Sequence, residues 1–180
     1  MKKEFMLFMT LALVITVSSC ASKKTILFTQ AIREKVESYD LDIEDIQFYN
    51  SHKIVLERNL SYEDTKVASG KISFENGQYV ERIIIKKKTP GICEFYDENA
   101  IDVSFEQGEN RQLKFVLNPK LHYQVSALEW ERKFGRISYD TTTYFILPGG
   151  EKAMLRVKKE DIFKFDKQER VAPGRSVSTK

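Results

Sequence analysis

The chain predicts a mostly β fold, an antiparallel hairpin-rich sandwich or barrel with one short N-terminal helix, and three observations predict it. From Ile46 onward, short runs rich in Ile, Val, Phe, Tyr and Thr alternate with Asn, Gly, Pro and charged residues, the pattern of strands and turns. The turn formers Asn76-Gly77, Gly108-Glu109-Asn110 and Gly149-Gly150 stand between such runs at spacings that suit hairpins. Only one segment places apolar residues a helical turn apart, and no repeat of fixed period is present. Sandwich and barrel share these features, so the pattern leaves both open.

The first element lies outside the fold. Lys2 and Lys3 precede the stretch Phe5–Val17, which is apolar except for Thr10 and Thr16, the layout of an export signal. A helix crossing the hydrocarbon core needs about 20 apolar residues, so this run is too short to be an anchor. It ends in Val17-Ser18-Ser19-Cys20, which resembles the lipobox of bacterial lipoproteins. A general export signal would instead end in a small-x-small sequence such as Ala-x-Ala. The lipobox resemblance implies a signal peptide over residues 1–19, a diacylglyceryl group on the thiol of Cys20, and a tether over residues 20–28. It also implies attachment to a membrane through that lipid and a place in the cell envelope. Ala21, rather than Asp, follows the cysteine, which by the same resemblance favours the outer membrane, facing periplasm or cell surface. In general style the chain is similar to small β-rich lipoproteins of Gram-negative bacteria.

A single domain is expected over residues 29–166. Thr29 can cap a helix running to about Ser38, with Ile32 and Val36 on one side. The first hairpin, Lys71 to Lys86, turns at Asn76-Gly77 and pairs Phe74 with Tyr79 and Ile72 with Glu81. One face then carries Ile72, Phe74, Tyr79, Ile83 and Ile85, and the other carries Lys71, Ser73, Glu75, Gln78, Arg82 and Lys86. In the second, Ile101–Glu106 pairs with Gln112–Leu117, Glu106 opposite Gln112, around Gly108-Glu109-Asn110 with Asn110 left-handed. The third joins Thr142–Leu147 to Lys152–Lys158 at Gly149-Gly150, with Tyr144 opposite Leu155 and Ile146 opposite Ala153. Weaker strand candidates are Asp45–Tyr49, Ile54–Arg58, Ile92–Tyr96, His122–Leu128, Arg136–Tyr139 and Ile162–Phe165. Residues 167–180 read as a basic, flexible or partner-ordered tail.

Composition narrows the function classes. Taking 19 signal residues from 180 leaves 161, the length of one domain. With 31% charged and 42% hydrophobic residues the chain is globular in composition. Its net charge of +3 is supplied by the tail, where Lys167, Arg170, Arg175 and Lys180 face only Glu169. The body is therefore near neutral and carries no footprint for nucleic acid; Lys86-Lys87-Lys88 reads as a solvated strand end. With Cys20 assigned to lipid, Cys93 has no disulfide partner, and its neighbours Ile92 and Phe95 favour a small buried hydrophobe over a reactive thiol.

Catalytic patterns are missing. His52 and His122 lie far apart without zinc-site spacing, and there is no Gly-x-Ser-x-Gly elbow, phosphate-binding Gly loop or Cys-x-x-Cys pair. A cysteine nucleophile at Cys93 would need one of those histidines beside it. Glu94, Asp97, Glu98 and Asp102 could hold calcium through carboxylate oxygens, but they lack the EF-hand spacing and read first as a charged loop. No metal, cofactor or enzymatic activity is expected. Glu81 breaks the pattern by pointing with Ile72 and Ile83 to the apolar face, where a carboxylate must be paired, line a ligand cavity or reach water at a sheet edge.

Two readings of function follow. One is a non-enzymatic envelope protein holding a protein partner at the membrane. The other is a β-barrel carrier of a small apolar ligand, as in lipid-anchored lipocalins; their first-strand Gly-x-Trp is not matched, because the single tryptophan is Trp130, preceded by Leu128-Glu129. The third hairpin marks a partner surface, since Phe145, Leu147 and Met154, with Arg156, make its second face apolar as well, and a strand pair apolar on both faces is covered on both. The competing cover is the chain's own helix, through Ile32 and Val36.

Overall fold

The structure, a computed structural model, describes residues 24–66, 68 and 70–163; the expected signal peptide, Cys20 and the tail 167–180 lie outside them. Strand β1 (Thr25–Leu27) leads into helix α1 (Gln30–Glu37), then β2 (Phe48–Asn50), β3 (Ile54–Leu60), β4 (Lys71–Glu75) and β5 (Gln78–Ile85). There follow β6 (Pro90–Tyr96), β7 (Ala100–Ser104), β8 (Gln112–Leu117), β9 (Tyr123–Val125), β10 (Glu129–Glu131) and β11 (Phe134–Tyr139). The last elements are β12 (Thr142–Ile146), β13 (Leu155–Lys158) and the short helix α2 (Lys159–Phe163). One sheet has seven strands in the order β1-β13-β2-β6-β7-β8-β9, the other six in the order β10-β11-β12-β3-β5-β4. All pairings are antiparallel, and the sheets do not close into a barrel, consistent with a sandwich. The edges of the larger sheet meet only at single bridges, Thr29 with His122 and Gln124 with Met154.

The core lies between the sheets. Phe48, Ile101, Val103, Phe115, Tyr123, Leu155 and Val157 come from the larger sheet, and Ile54, Leu56, Ile137, Tyr144 and Ile146 from the smaller. Each such side chain removed from water contributes about 1.5–3 kcal/mol before chain entropy is set against it. Aromatic edges meet faces at Phe28–Phe48 (5.1 Å) and Tyr139–Tyr144 (6.0 Å).

Helix α1 starts where its cap predicts, with the Ile32 N–H donating to Thr29 Oγ1. It rests on the larger sheet. Val36 is buried, and the buried Arg33 donates to the carbonyls of Asp97 (2.7 Å) and Glu98 (3.1 Å) and to the Tyr123 hydroxyl (3.1 Å).

The first hairpin has the expected register, Phe74 opposite Tyr79 and Ile72 opposite Glu81. Its turn residues Asn76 (φ 48°) and Gly77 (φ 81°) are both left-handed, as a type I′ turn requires. The second hairpin is corrected by two positions, because Ser104 rather than Glu106 faces Gln112. Ser104 Oγ donates to the Glu106 carbonyl (2.6 Å), which turns the chain two residues early and lengthens the loop. An even shift keeps every side chain on its expected face, and Asn110 is left-handed (φ 58°) as expected.

The third hairpin does not form. β12 pairs with β11 and β3, whereas β13 pairs with β1 and β2 in the other sheet. Gly149-Gly150 opens a 3₁₀ turn that carries the chain from one sheet to the other. Tyr144, Ile146, Ala153 and Leu155 are nonetheless all in the core, because the two inner faces look at each other.

Three smaller readings change. Thr25–Leu27, assigned to the tether, is β1. His122–Leu128 is divided, since the larger sheet holds it as far as Ser126, whose N–H donates to Lys114 O (2.8 Å), while Leu128 bonds to Arg136 O (2.9 Å) and Glu129–Glu131 joins the smaller sheet as β10. Ile162–Phe165 was expected as a strand, but Lys159–Phe163 is helical: Glu160 and Asp161 suit a helix N-terminus, and Ile162 reaches the core.

Candidate functional site

The expected partner surface divides between the two sheets. Phe145 and Leu147 belong to the outer face of the six-stranded sheet. Arg156 is in β13, where its guanidinium donates to the carbonyl and side-chain oxygen of Thr25. Met154 sits at the seam of the larger sheet, its carbonyl accepting from the Ser51 N–H (2.9 Å) and its N–H donating to Ser51 Oγ (2.7 Å). The four residues therefore make no single patch, since a hairpin that is not formed cannot gather them.

What surrounds Phe145 and Leu147 is a larger apolar surface. Phe134 and Leu147 follow the Gly135–Ile146 pair, the Leu147 N–H donates to the Val55 carbonyl (2.9 Å), and Val55 faces Ile84. Phe134, Leu147, Val55 and Ile84 thus form one row across β11, β12, β3 and β5. Phe134, Ile84 and Phe145 are 46%, 45% and 43% exposed. Helix α1 lies on the other sheet and leaves this face open. The next rung is charged: Arg136, Phe145, Glu57 and Arg82 are aligned, with Arg82 bonded to Glu57 (2.6 Å) and Glu75 (2.6 Å). The Arg82 bonds, then that from Ser73, hold the Glu75 carboxyl down at about 2. On the opposite side of the row, Lys53, Lys86, Lys87, Lys88, Arg132 and Lys133 are exposed at the strand ends, and none of them pairs with an acidic group among the described residues.

Sequence reasoning missed Val55, Ile84 and Phe134 because they come from strands far apart in the chain. A signal was present. Ile54-Val55-Leu56, Ile83-Ile84-Ile85 and Phe145-Ile146-Leu147 are apolar triplets that abandon alternation, and the fold sets all three side by side.

Glu81 is fully buried, not at a wet edge. Its carboxylate accepts from Arg58 Nε (2.6 Å), from the Tyr144 hydroxyl (2.9 Å) and from the Gly70 N–H. The Arg58 guanidinium also stacks 5.1 Å from the centre of the Tyr144 ring. Burial works against the charge, but the Gly70, Arg58 and Tyr144 bonds outweigh it and leave Glu81 below the usual carboxylate range. Burial, then Glu81, pushes the Tyr144 phenol up to about 12. With both oxygens bonded within the fold, this group builds structure.

Asp102 is the reverse case. It faces Lys114 across β7 and β8, and its Oδ1 is buried with no hydrogen-bond donor; Lys114 Nζ stands 3.7 Å away. Burial raises its pKa, and Lys114 only partly opposes this. It lines a cavity of about 230 Å³ with Gln112, Leu113, Lys114, Ala127, Leu128 and Ile137.

The remaining candidates lose their chemistry. Glu94, Asp97 and Glu98 are exposed, the Asp97 carboxylate instead accepts from the Asn99 and Ala100 N–H groups, and among the described residues no acidic, His or Cys group converges as a metal site. Cys93 is buried, and burial, then Glu44, pushes its thiol up to about 12, so it is protonated at neutral pH. His52 is exposed beside Ser51 (2.8 Å), and His122 bridges Thr29. Along an open groove of about 430 Å³ at Gly91, Ile92 and Phe105, Gln47 donates to the Gly91 carbonyl (2.7 Å) and Ser104 to that of Glu106 (2.6 Å). Among the described residues no helix is long and apolar enough to cross a membrane. No protein-family model, curated protein or solved structure matches the chain.

Proposed function

We propose that this chain is a lipid-anchored protein of the cell envelope with a binding rather than a catalytic role, holding a protein partner against the outer face of its six-stranded sheet. The apolar row Phe134–Leu147–Val55–Ile84, with Phe145 beside it, carries the reading, because an open sheet face that does not alternate to polar residues is built to be covered. The partner is a protein with an apolar patch and an acidic rim. Its acidic groups meet the exposed Lys53, Lys86–Lys88, Arg132 and Lys133, while aromatic side chains anchor the middle. The lipid anchor rests on the lipobox resemblance at Cys20. Two acyl chains at about 0.8 kcal/mol per buried methylene hold a protein stably on a bilayer. The barrel carrier has no support in two sheets that remain open.

A photo-crosslinking residue placed at Phe145 or Ile84 in living cells is expected to give one adduct with a second polypeptide. The same residue at Ile92 or Leu121, apolar and exposed elsewhere, gives none. Lys86→Glu with Lys87→Glu weakens the adduct, and so does salt, since the Debye length is about 8 Å at physiological strength and shorter above it. An adduct of two copies of this chain, or the same adduct from all four positions, refutes the partner. Labelling with a radioactive fatty acid tests the anchor: label on the wild type and none on Cys20→Ser supports it, and an unlabelled wild type ends it.

A further inference from the structure

The sheet edges of this fold are short, with one exception. In the larger sheet the edge strands β1 and β9 have three residues each, and those edges meet at single bridges. In the smaller sheet β10 also has three, whereas β4 has five and no strand on its far side among the described residues. An edge of that length is a template for pairing unless proline, a bulge or charge blunts it. β4 has neither proline nor bulge. Its open backbone groups follow from the hairpin. In a type I′ turn the C=O of the first residue accepts from the N–H of the fourth, which makes Glu75 and Gln78 a bonded pair, and antiparallel pairs alternate between bonded and unbonded. Glu75, Ser73 and Lys71 therefore bond to β5, and the N–H and C=O of Ile72 and Phe74 point out of the sheet. Their side chains are exposed as well. Phe74 (65% exposed) lies 4.9 Å from the Tyr79 ring, and Tyr62 (68% exposed) lies 6.2 Å from it on the other side, so the edge carries an aromatic ledge.

We propose that β4 is an interface between two copies of this chain, paired antiparallel about a two-fold axis at Ser73. The strand reads Lys71-Ile72-Ser73-Phe74-Glu75, which is complementary to itself when turned end for end. Lys71 then stands opposite Glu75 of the second copy, Ile72 opposite Phe74, and Ser73 opposite Ser73, as the same patch must serve both partners in a two-fold contact. The hydrogen-bond phase agrees. Ile72 and Phe74 become the bonded pairs, so every outward N–H meets an outward C=O across the axis. Charge fixes the register, because a shift by two residues sets Lys71 or Glu75 opposite Ser73 and loses the cross-strand ion pairs. The half-buried Glu75 carboxylate is already held in place by Arg82 (2.6 Å) and Ser73 (2.8 Å), on the face where Lys71 is exposed. A foreign strand would need no such symmetry, so the second copy is the occupant that this sequence selects. The contact is small beside the roughly 1,200–2,000 Å² of a stable complex, and the dimer therefore forms and parts readily. It joins the two smaller sheets into one and leaves the docking row of each copy uncovered.

The test traps this pairing in cells that express the full chain, with a mild thiol oxidant and a non-reducing gel. Ser73→Cys is expected to give a disulfide-linked dimer, because directly opposite residues of an unbonded pair bring their Cβ atoms close to the spacing a disulfide needs. Lys71→Cys alone and Glu75→Cys alone give none, while the two chains expressed together give the mixed dimer. The wild type, whose Cys93 is buried, sets the background. Phe74→Pro removes an outward N–H and leaves the bonds to β5 intact, a change that an edge strand tolerates. With one bond lost on each side of the axis, it should lower the Ser73→Cys dimer about tenfold or more. If that variant does not fold, Lys71→Glu, which sets like charges opposite each other, should lower the same dimer several-fold. No dimer from Ser73→Cys, equal dimers from all three single-cysteine chains, or an adduct only with another polypeptide would each overturn the pairing.

Discussion

Two carboxylates, the fully buried Glu81 and the half-buried Asp102, show opposite solutions to one problem. Each sits on a strand among apolar neighbours, where an ionised group is costly unless bonded. Glu81 has Arg58, Tyr144 and the Gly70 N–H, and its pKa falls. Asp102 has Lys114 beyond hydrogen-bond distance, and its pKa rises. The difference lies in cover. The Glu81 carboxylate is closed over by the backbone of the β3–β4 connection at Gly70, whereas Asp102 faces a gap between sheets. Glu81 is fixed by three bonds, whereas Asp102 rests on one loose ion pair at 3.7 Å.

Breaking the satisfied side should have the largest effect. Arg58→Met strands the Glu81 carboxylate and is expected to cost about 3 kcal/mol, the low end for breaking a buried pair. Thermal unfolding would then fall by roughly 10 °C. A melting temperature within a degree or two of wild type would show that Arg58 is not what holds Glu81 ionised.

Glu81→Gln keeps the shape but loses the charge-assisted bonds, at about 2 kcal/mol. The pH profile gives the sign. A carboxyl whose pKa is lowered by folding contributes stability above its unfolded value of about 4.3 and loses it as pH falls through the folded value. Urea unfolding from pH 7 down to pH 2 should therefore show an acid-side loss in the wild type that is shallower in Glu81→Gln.

Gly70→Ala tests the cover itself. A Cβ there would lie 2.8 Å from Glu81 Cγ and 2.9 Å from the Arg82 carbonyl oxygen, and the backbone atom cannot swing aside. A loss of about 1–3 kcal/mol is expected, as for overpacking; no loss in a denaturant titration would mean the connection moves freely.

The unsatisfied side responds least and with the reverse sign. Folding raises the Asp102 pKa, so its ionisation opposes the folded state. The stability tied to its protonated form is present at low pH and lost as pH rises through the folded value. Asp102→Asn should thus gain about 0.5–1 kcal/mol at pH 7 and little or nothing at pH 3. A loss at pH 7 would mean that the pair with Lys114 is stabilising and would erase the contrast.

The parts of this picture legible in the sequence are those fixed by near neighbours. Asn76-Gly77 dictates a left-handed pair whatever lies elsewhere, so the first register could be read directly. Thr29 caps its helix through a bond three residues away, and that too is local. The third hairpin failed because Gly149-Gly150 fits a turn between paired strands and a crossing between sheets equally well, and alternation gives the same inner face in either case. Glu81 announced itself as an exception, but Gly70 and Tyr144 could not be named as its partners without the fold. The local sequence marks Asp102 only as one of an acidic group, because what sets it apart is a missing bond, and the cavity beside it exists only where strands distant in the chain diverge.

The pairing of β1 with β13 gives the domain a mechanical character. Any tension on the chain ahead of Lys24 enters the fold at this three-residue edge strand, whose hold consists of the β13 rungs, the Arg156 clasp on Thr25 and the Lys159 N–H on Lys24 O. Peeling in an opening direction loads those rungs in turn, and releasing all three lengthens the lead by about 10 Å. Behind them stands Phe28, fully buried against Phe48 and Tyr123, and its N–H is tied to Leu155 O (2.9 Å). That ring works as a stopper: the first strand can give way as a short shock-absorbing length while the aromatic behind it keeps the rest of the sandwich from feeling the pull.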